Sequence, residues 1–198
     1  MIKLVAGFLA GGIAQGVVLP SLSRAQPATG RRILIAYYSR TGTTREIARQ
    51  IQARVGGELF ELKTAHSYPA AYRATTNQAK RELNEGIRPV LVTQVADMAA
   101  YDTVFIGFPN WWGTLPMAFF TFLEQYKLAG KTVIPFCTHE GSGFGSSLED
   151  IRARCGNARM LEGLALRGGG VDRVAGESAR QEVARWLDSV KLLSGSQS

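Results

Sequence analysis

Short apolar runs and amphipathic segments alternate along this sequence. Five segments have the pattern of β-strands: residues 31–38, 58–63, 103–108, 132–137 and 158–166. Four segments have apolar residues at helical spacing: residues 43–55, 116–126, 144–154 and 177–193. The segment over residues 103–108 is apolar throughout, whereas residues 58–63 alternate in polarity, which is typical of a half-exposed edge strand. Pro135 is unusual inside a strand because it has no N–H to donate.

Near-continuous apolar strands predict that both faces of the sheet are covered. Such strands, separated by helices, are typical of a parallel sheet with helices on each face. Ligands of these open sheets bind beyond the carboxyl ends of the strands, where the strand order reverses. The loops after the first, third and fourth strands are therefore the predicted location of a binding site.

Residues 64–98 have the least regular pattern. We predict a helix over residues 69–83, ended by Gly86 and Pro89, and a helical turn over residues 95–100. Three aromatic side chains of this stretch have two alternative roles, either covering a ligand or packing an inserted helix: His66, Tyr68 and Tyr72.

Composition narrows the classes of partner. The 198 residues are 45% hydrophobic and 20% charged, as expected for one globular domain. Lys and Arg number 23 against 16 Asp and Glu, so the formal net charge is +7 at pH 7. The basic residues are scattered along the chain, whereas nucleic-acid-binding proteins cluster them on one face. We therefore expect no nucleic-acid partner.

The first 25 residues resemble a secretory signal peptide. Lys3 is the only charged residue before Arg24, the residues between them are mostly apolar, and small residues at Ser23 and Ala25 form a cleavage signal. We expect export to the periplasm, with residues 26–30 as a linker, a domain over residues 31–193 and a tail over residues 194–198. The alternative is a retained membrane anchor over residues 4–22, in which case the protein would meet the membrane.

The loop after the first strand is rich in hydroxyl groups and opens a helix. Its residues are Ser39, Arg40, Thr41, Gly42, Thr43 and Thr44. Free N–H groups and the dipole at a helix N-terminus attract anions, and the hydroxyls donate to phosphate oxygens. An ordinary helix cap, the alternative, needs only one such hydroxyl. The loop has neither the Gly-Lys-Ser/Thr of a Walker loop nor a Gly-x-Gly-x-x-Gly sequence.

The two other loops contain aromatic residues and glycines. The loop after the third strand contains Pro109, Asn110, Trp111, Trp112 and Gly113, and the loop after the fourth contains Thr138, His139, Glu140, Gly141, Ser142 and Gly143. Adjacent tryptophans at a strand end are expected to place one ring on a flat ligand and the other on the core. Glycines let the backbone approach a ligand, although a flexible lid without contacts is the alternative.

These residues resemble the flavodoxin family. The first loop matches the family pattern Ser/Thr-x-Thr-Gly-x-Thr, and the closest resemblance is to a subgroup with Trp-Trp-Gly-Thr-x-Pro and Gly-Ser-Gly loops, here at residues 111–116 and 141–143. The resemblance covers residues 31–190. It implies a three-layer αβα fold with a five-stranded parallel sheet in the order 2-1-3-4-5, and FMN as the cofactor.

The resemblance also implies roles for individual residues. The phosphate would be held by Ser39, Thr41, Gly42, Thr43 and Thr44, and residues 109–113 and 138–143 would flank the isoalloxazine ring. Trp111 or Trp112 would stack on the ring or lie at its edge. The His139-Glu140 pair departs from the family pattern, and we hypothesise that a carboxylate at Glu140 beside the ring opposes the anionic reduced flavin while His139 offsets that effect.

Two functions follow as hypotheses. The first is an electron-transfer protein with a redox partner, and the basic charge favours an acidic one. The second is an FMN-dependent oxidoreductase that takes hydride from NAD(P)H and reduces quinones. Neither requires a catalytic acid or base from the chain, and the sequence contains no metal-ligand spacing. A flavin-free binding module is a third alternative.

The two cysteines are predicted to be free thiols. Cys137 ends the fourth strand at the ligand end of the sheet, and Cys155 ends the following helix at the opposite end. A helix of ~12 residues at ~1.5 Å each separates them by far more than a disulfide spans. A phosphatase of the Cys-x₅-Arg type is disfavoured because Gly143, not Arg, lies six residues after Cys137.

Overall fold

The computed structural model describes residues 32–190. The predicted signal peptide or anchor, the linker over residues 26–30 and the tail over residues 194–198 lie outside the described residues. Among the helices of residues 32–190, none combines the length and the apolar character needed to cross a membrane.

Five parallel strand pairings build one sheet, in the predicted order. The strands are β1 (Ile33–Tyr37), β2 (Glu58–Glu61), β3 (Thr103–Pro109), β4 (Thr132–His139), β5 (Arg159–Met160) and β6 (Leu164–Arg167). Their order is β2-β1-β3-β4-β5, and β6 also pairs with β4. The partly exposed β2 lies at one edge, as its alternating pattern predicts.

Helices cover both faces of this sheet. They are α1 (Thr43–Val55), α2 (Tyr72–Glu85), α3 (Met117–Gln125), α4 (Ser147–Arg154), α5 (Val171–Val174) and α6 (Glu177–Ser189), with a 3₁₀ turn at Met98–Ala100. One buried cluster joins Ile35 of β1 to Ile51 of α1 and Val183 of α6. A second joins Leu34 of β1 to Phe119 of α3. Successive strand residues therefore point into opposite clusters, which confirms the three-layer αβα fold.

The contact between β3 and β4 requires a glycine at position 107. Gly107 pairs with Phe136 in the parallel register, and the phenyl ring occupies the space above the glycine. A Cβ atom built at Gly107 would lie 2.0 Å from Cζ of Phe136. The close approach of the two central strands thus depends on the absence of a side chain at this position.

The predicted fifth strand is two short strands, because β4 contains Pro135. The N–H of Leu161 donates to the carbonyl oxygen of Val133 at 2.9 Å. The next bond of a parallel ladder would come from the N–H that Pro135 lacks, so pairing ends after Met160 and resumes at Leu164. The prediction of a continuous strand over residues 158–166 was therefore wrong at its centre.

Two predicted helices begin later than the pattern indicates. The helix predicted over residues 69–83 is α2, which begins at Tyr72 because Ala71 is still extended. The helix predicted over residues 144–154 is α4, which begins at Ser147 because Gly145 has a left-handed φ of 56°. A Cβ atom at Gly145 would lie 2.0 Å from the carbonyl oxygen of Gly113, so this turn packs directly against the preceding loop.

Candidate functional site

A cavity of about 860 Å³ lies at the carboxyl ends of β1, β3 and β4. Its lining contains fourteen of the seventeen predicted site residues: Ser39, Arg40, Thr41, Thr43, Thr44, Pro109, Asn110, Trp111, Trp112, Gly113, Thr138, His139, Glu140 and Ser142. The other three, Gly42, Gly141 and Gly143, belong to the same loops but do not line the cavity. The three loops that the sequence analysis selected therefore meet at one place.

The first loop keeps its hydroxyl groups available to a ligand. No side chain caps α1, whose N-terminal residue is preceded by Gly42 in a left-handed conformation (φ 91°). The Oγ of Ser39 accepts a bond from the Gly42 N–H at 3.1 Å, and the Oγ atoms of Thr41 and Thr43 lie 3.2 Å apart. Because the first N–H groups of a helix have no intrahelical acceptor, this end of the cavity is a concentrated set of donors. The ordinary-cap alternative does not describe it.

Thr44 connects the first loop to the third. Its Oγ is hydrogen-bonded to the Oγ of Thr138 at 2.9 Å, and both side chains are buried. This bond ties the start of α1 to the end of β4 across the floor of the cavity. Only one of the two hydroxyl protons is used in this bond, so the other is available to a ligand oxygen.

The two adjacent tryptophans take different positions. Trp111 packs edge-on against Tyr68 and Tyr38, with ring centroids 5.0 Å and 5.5 Å away, and contacts the core. Trp112 is 51% exposed and has a left-handed φ of 55°. Its Nε1 donates to the carbonyl oxygen of Thr76 at 2.9 Å, and the Nζ of Lys80 lies 4.7 Å from its ring centroid. Trp111 is thus the ring on the core, and Trp112 bridges to α2.

Hydrogen bonds join the second and third loops. The Asn110 N–H donates to the Thr138 oxygen at 2.8 Å, and the Asn110 Nδ2 donates to the Gly143 oxygen at 2.7 Å. The Ser146 N–H donates to the Gly113 oxygen at 2.7 Å. These bonds hold the backbone of the third loop beside the second loop, which argues against a lid without contacts.

Two parts of the cavity wall lie outside the three loops that the sequence analysis selected. The helix α2 contributes Tyr72, Thr75, Thr76 and Ala79, and the loop after β6 contributes Gly168 and Gly170. The loop is held in place because the Gly169 N–H donates to Oε1 of Glu140 at 3.0 Å and the Gly168 N–H donates to the His139 oxygen at 2.7 Å. Three consecutive glycines after the last strand were the available signal for this loop. For α2 the available signal was Tyr72, for which the sequence analysis left open a role in covering a ligand.

The three aromatic residues left open by the sequence take three different positions. Tyr72 is 72% exposed and lines the cavity. Tyr68 packs against Trp111 and its hydroxyl donates to the carboxylate of Glu82. His66 is exposed and does not line the cavity.

Burial favours the neutral forms of both thiols, Cys137 and Cys155, and of the Tyr38 phenol. Burial raises the pKa of the Cys137 thiol to about 12 and that of Cys155 to about 11. Burial, followed by the charge of Glu82, raises the pKa of Tyr38. Both cysteines are free and buried, as predicted. A neutral buried thiol is a poor nucleophile, so Cys137 has the character of a packing residue.

Comparison with known proteins finds a matching family model and solved structures with a similar fold. A family model described as Flavodoxin matches residues 32–190. A candidate flavoprotein from Bacteroides eggerthii is 32% identical, with 80% of this chain and 97% of that chain covered and a TM-score of 0.68. One from Bacteroides uniformis is 31% identical, with 80% and 99% covered and a TM-score of 0.66. No curated protein matches the chain.

A more distant relative was solved with a ligand. It is a flavoprotein from Lactobacillus acidophilus in complex with FMN, which is 23% identical to this chain. The match covers 69% of this chain and 93% of that chain, with a TM-score of 0.61. At this identity the likeness concerns the fold.

Proposed function

This chain belongs to the flavodoxin family, and from that premise we propose that it binds one FMN non-covalently and passes electrons through it. The observation that carries the proposal is the meeting of a hydroxyl-rich helix start, a double-tryptophan loop and a glycine loop around one cavity. The Lactobacillus protein of the same fold holds FMN, which supports this choice of ligand. Because the chain has both a Trp-Trp-Gly-Thr-x-Pro loop and a Gly-Ser-Gly loop, we also propose that it belongs to the flavodoxin subgroup with these two loops.

The phosphate end of the proposed site is the start of α1. Ser39, Thr41 and Thr43 offer hydroxyls that no helix cap consumes, and the first N–H groups of α1 add backbone donors. The helix dipole favours a negative charge at the same point. These donors suit a phosphate monoester, which presents several acceptor oxygens and no hydrophobic surface.

The ring end of the proposed site lies between the second and third loops. Bound FMN would supply the one- and two-electron redox chemistry. The chain supplies flat apolar surface from Trp111 and Trp112, backbone polar groups from the third loop and a wall from α2. These groups bind and orient the cofactor and limit its contact with water.

We further propose that the redox partner has an acidic docking face. Arg40 lines the cavity, Arg73 is exposed beside the cavity-lining Tyr72, and Lys80 lies over the Trp112 ring. Within residues 32–190, none of these three forms an ion pair with a carboxylate. Unpaired positive charge around a redox site attracts an acidic surface and increases the association rate.

The FMN-dependent NAD(P)H:quinone oxidoreductase is the second candidate. The cavity is near the upper end of the ~300–1,000 Å³ that is usual for ligand pockets, and α2 adds a wall that none of the three loops supplies. That extra wall would suit a small second substrate. Turnover of NADPH with a quinone in the absence of any partner protein would favour the enzyme over the carrier.

The first experiment is the visible absorption spectrum of the purified protein before and after addition of FMN. We expect the purified protein to be yellow, or to bind added FMN tightly.

Thr41→Ala and Thr44→Ala should each raise the Kd for FMN about tenfold or more, because a hydrogen bond to a charged group contributes ~1.5–3 kcal/mol. Thr121→Ala is the matched control, since among residues 32–190 this buried hydroxyl bonds only to the backbone carbonyls of Pro89 and Met117. A colourless protein without affinity for FMN would indicate a flavin-free module instead.

Export of the protein is also a proposal. It is supported by the charge and apolar pattern of residues 1–25. N-terminal sequencing of the protein from a periplasmic extract should begin at Gln26. Recovery of the uncleaved chain from the membrane fraction would favour the anchor, and recovery of the uncleaved chain from the cytoplasm would refute export.

A further inference from the structure

Three aromatic rings in mutual contact form a cluster at the wall of the cavity. Trp111 lines the cavity, and its ring centroid lies 5.0 Å from that of Tyr68. Tyr38 completes the cluster at 5.5 Å from Trp111 and 6.0 Å from Tyr68. Rings in edge-to-face contact are close enough for an electron to pass between them. Tyr68 is partly buried and does not line the cavity, whereas the Trp111 ring that it contacts does.

Tyr68 differs from Tyr38 in having a proton acceptor. Its hydroxyl donates to Oε2 of Glu82, a residue of α2 that is only 5% exposed. The other oxygen, Oε1, accepts a bond from the Nε2 of Gln78 at 2.8 Å. Because both oxygens accept hydrogen bonds, the arrangement fits the ionised carboxylate. Tyr38 makes no comparable bond to a carboxylate in the part of the chain that the structure describes.

We propose that Tyr68 and Glu82 form a proton-coupled electron donor for Trp111. When a one-electron oxidant in the cavity, such as an oxygen-derived radical, takes an electron from the Trp111 indole, Tyr68 returns one electron to it. The phenolic proton moves at the same time from Tyr68 to Oε2 of Glu82. The oxidant gains one electron, Trp111 is restored, and the products are a neutral tyrosyl radical and a protonated Glu82. A later one-electron reductant and return of the proton restore the starting state.

The geometry explains why this tyrosine is the donor. A phenol gives up an electron readily only if its proton leaves with the electron, and Glu82 is already hydrogen-bonded to that proton. The low exposure of Glu82 keeps water from competing for the same oxygen. The consequence is that oxidising equivalents leave the cavity wall before the indole reacts irreversibly. The proposal does not depend on FMN binding, because any one-electron oxidant that reaches Trp111 starts the sequence.

The test is laser flash oxidation of the full-length protein without added FMN, using a soluble ruthenium photo-oxidant. Trp112→Phe serves as the common background, since it removes the most exposed indole. Tryptophanyl and tyrosyl radicals have distinct absorption bands, so the transfer of an electron from Tyr68 appears as decay of one band with growth of the other. We expect this conversion in the background protein and a slower conversion in D₂O.

Three variants decide the outcome. Tyr68→Phe and Glu82→Gln should each slow the conversion by about tenfold or more, which corresponds to ~1.4 kcal/mol of barrier. Gln keeps a hydrogen-bond acceptor at position 82 but cannot take the proton. Tyr101→Phe is the matched control, because the Tyr101 hydroxyl also donates to a carboxylate, that of Glu58, but the Tyr101 ring pairs with no tryptophan ring in the part of the chain that the structure describes.

The proposal is overturned if no tyrosyl radical grows in as the tryptophanyl radical decays, or if Tyr68→Phe converts at the background rate. It is equally overturned if Tyr101→Phe slows the conversion as much as Tyr68→Phe does. Circular dichroism identifies any variant that does not fold. If Tyr68→Phe does not fold, the proposal stands only if Glu82→Gln and D₂O each slow the conversion, and it fails if either leaves the rate unchanged.

Discussion

At the scale of single residues, Glu140 contacts two parts of the molecule, the cavity and the loop after β6. Its side chain lines the cavity, and its Oε1 accepts the N–H of Gly169 at 3.0 Å. The carboxylate therefore holds the glycine loop after β6 while it places a negative charge beside the proposed flavin ring. The hydrogen bond gives the charge a defined location, which strengthens the electrostatic hypothesis made from the sequence.

Glu140→Gln tests that charge. We expect the midpoint potential of the FMN-loaded protein to become less negative, because a negative charge that opposes the anionic reduced flavin has been removed. Gln retains an oxygen that can accept the Gly169 N–H. The measurement is a spectroscopic redox titration, with Glu177→Gln as the control: Glu177 does not line the cavity, and its carboxylate accepts one hydrogen bond, from the Nε2 of Gln181. A potential that does not move would show that Glu140 acts only on the loop.

At the scale of secondary-structure elements, the pairing of β3 with β4 positions two of the three site loops. Gly107 and Phe136 lie in register, and the ring fills the space of the missing side chain. Both strands are buried and lead directly into the cavity loops. Any change that separates these strands should therefore affect stability and the site together.

Gly107→Ala should lower the free energy of unfolding by about 2 kcal/mol or more, because overpacking of a dense core costs ~1–3 kcal/mol. Phe136→Ala alone should cost ~3–5 kcal/mol. The double variant should cost less than the sum, since the new methyl group enters the space that the ring has left. Urea unfolding of the four proteins measures this cycle. Strict additivity of the two single effects would contradict the steric explanation.

At the scale of the whole molecule, buried thiols make stability depend on alkaline pH. Burial raises the pKa of Cys137 and Cys155 from the ordinary 9.0 to about 12 and about 11. Above pH 9 the unfolded chain releases these protons while the folded chain keeps them, so the unfolded state gains stability. The free energy of unfolding should therefore be unaffected by the thiols below pH 9 and should fall as the pH rises towards 11–12.

Urea unfolding between pH 8 and pH 10.5 measures this effect. The double variant Cys137→Ala/Cys155→Ala should have a shallower decline than the parent protein. A residual slope is expected near the upper limit because burial also raises the pKa of Tyr38 and Tyr68. Equal slopes for the parent and the double variant would rule out a contribution from the thiols.

The net positive charge has its own consequence for partner association. The rate of electron transfer to an acidic protein acceptor should fall by about tenfold between ~0.01 and ~0.15 M salt, as the Debye length decreases from ~30 to ~8 Å. Reduction of a small uncharged quinone is the control and should change little. Lys80→Gln should reduce the salt dependence with the protein acceptor. A rate that does not fall as salt increases would refute the acidic partner.

The sequence alone determined the layered fold and which three loops meet at the cavity. Apolar runs and helical spacing indicate how each short segment is buried, which predicts the layers. The strand order came from the resemblance to the flavodoxin family. The loops at residues 39–44, 109–113 and 138–143 could be selected because parallel strands bring their carboxyl ends to one edge. Both cysteines could be predicted as free thiols because the same rule places Cys137 at the ligand end of the sheet and Cys155 at the opposite end.

Only the tertiary structure decided which distant segments complete the cavity. The wall from α2, the Gly168–Gly170 loop and the different positions of Trp111 and Trp112 all depend on contacts between residues far apart in the chain. The break in the fifth strand likewise depends on where Pro135 lies in the neighbouring strand. Periodicity describes the exposure of a segment but not the partner that covers it, and the choice of partner is made when the layers pack.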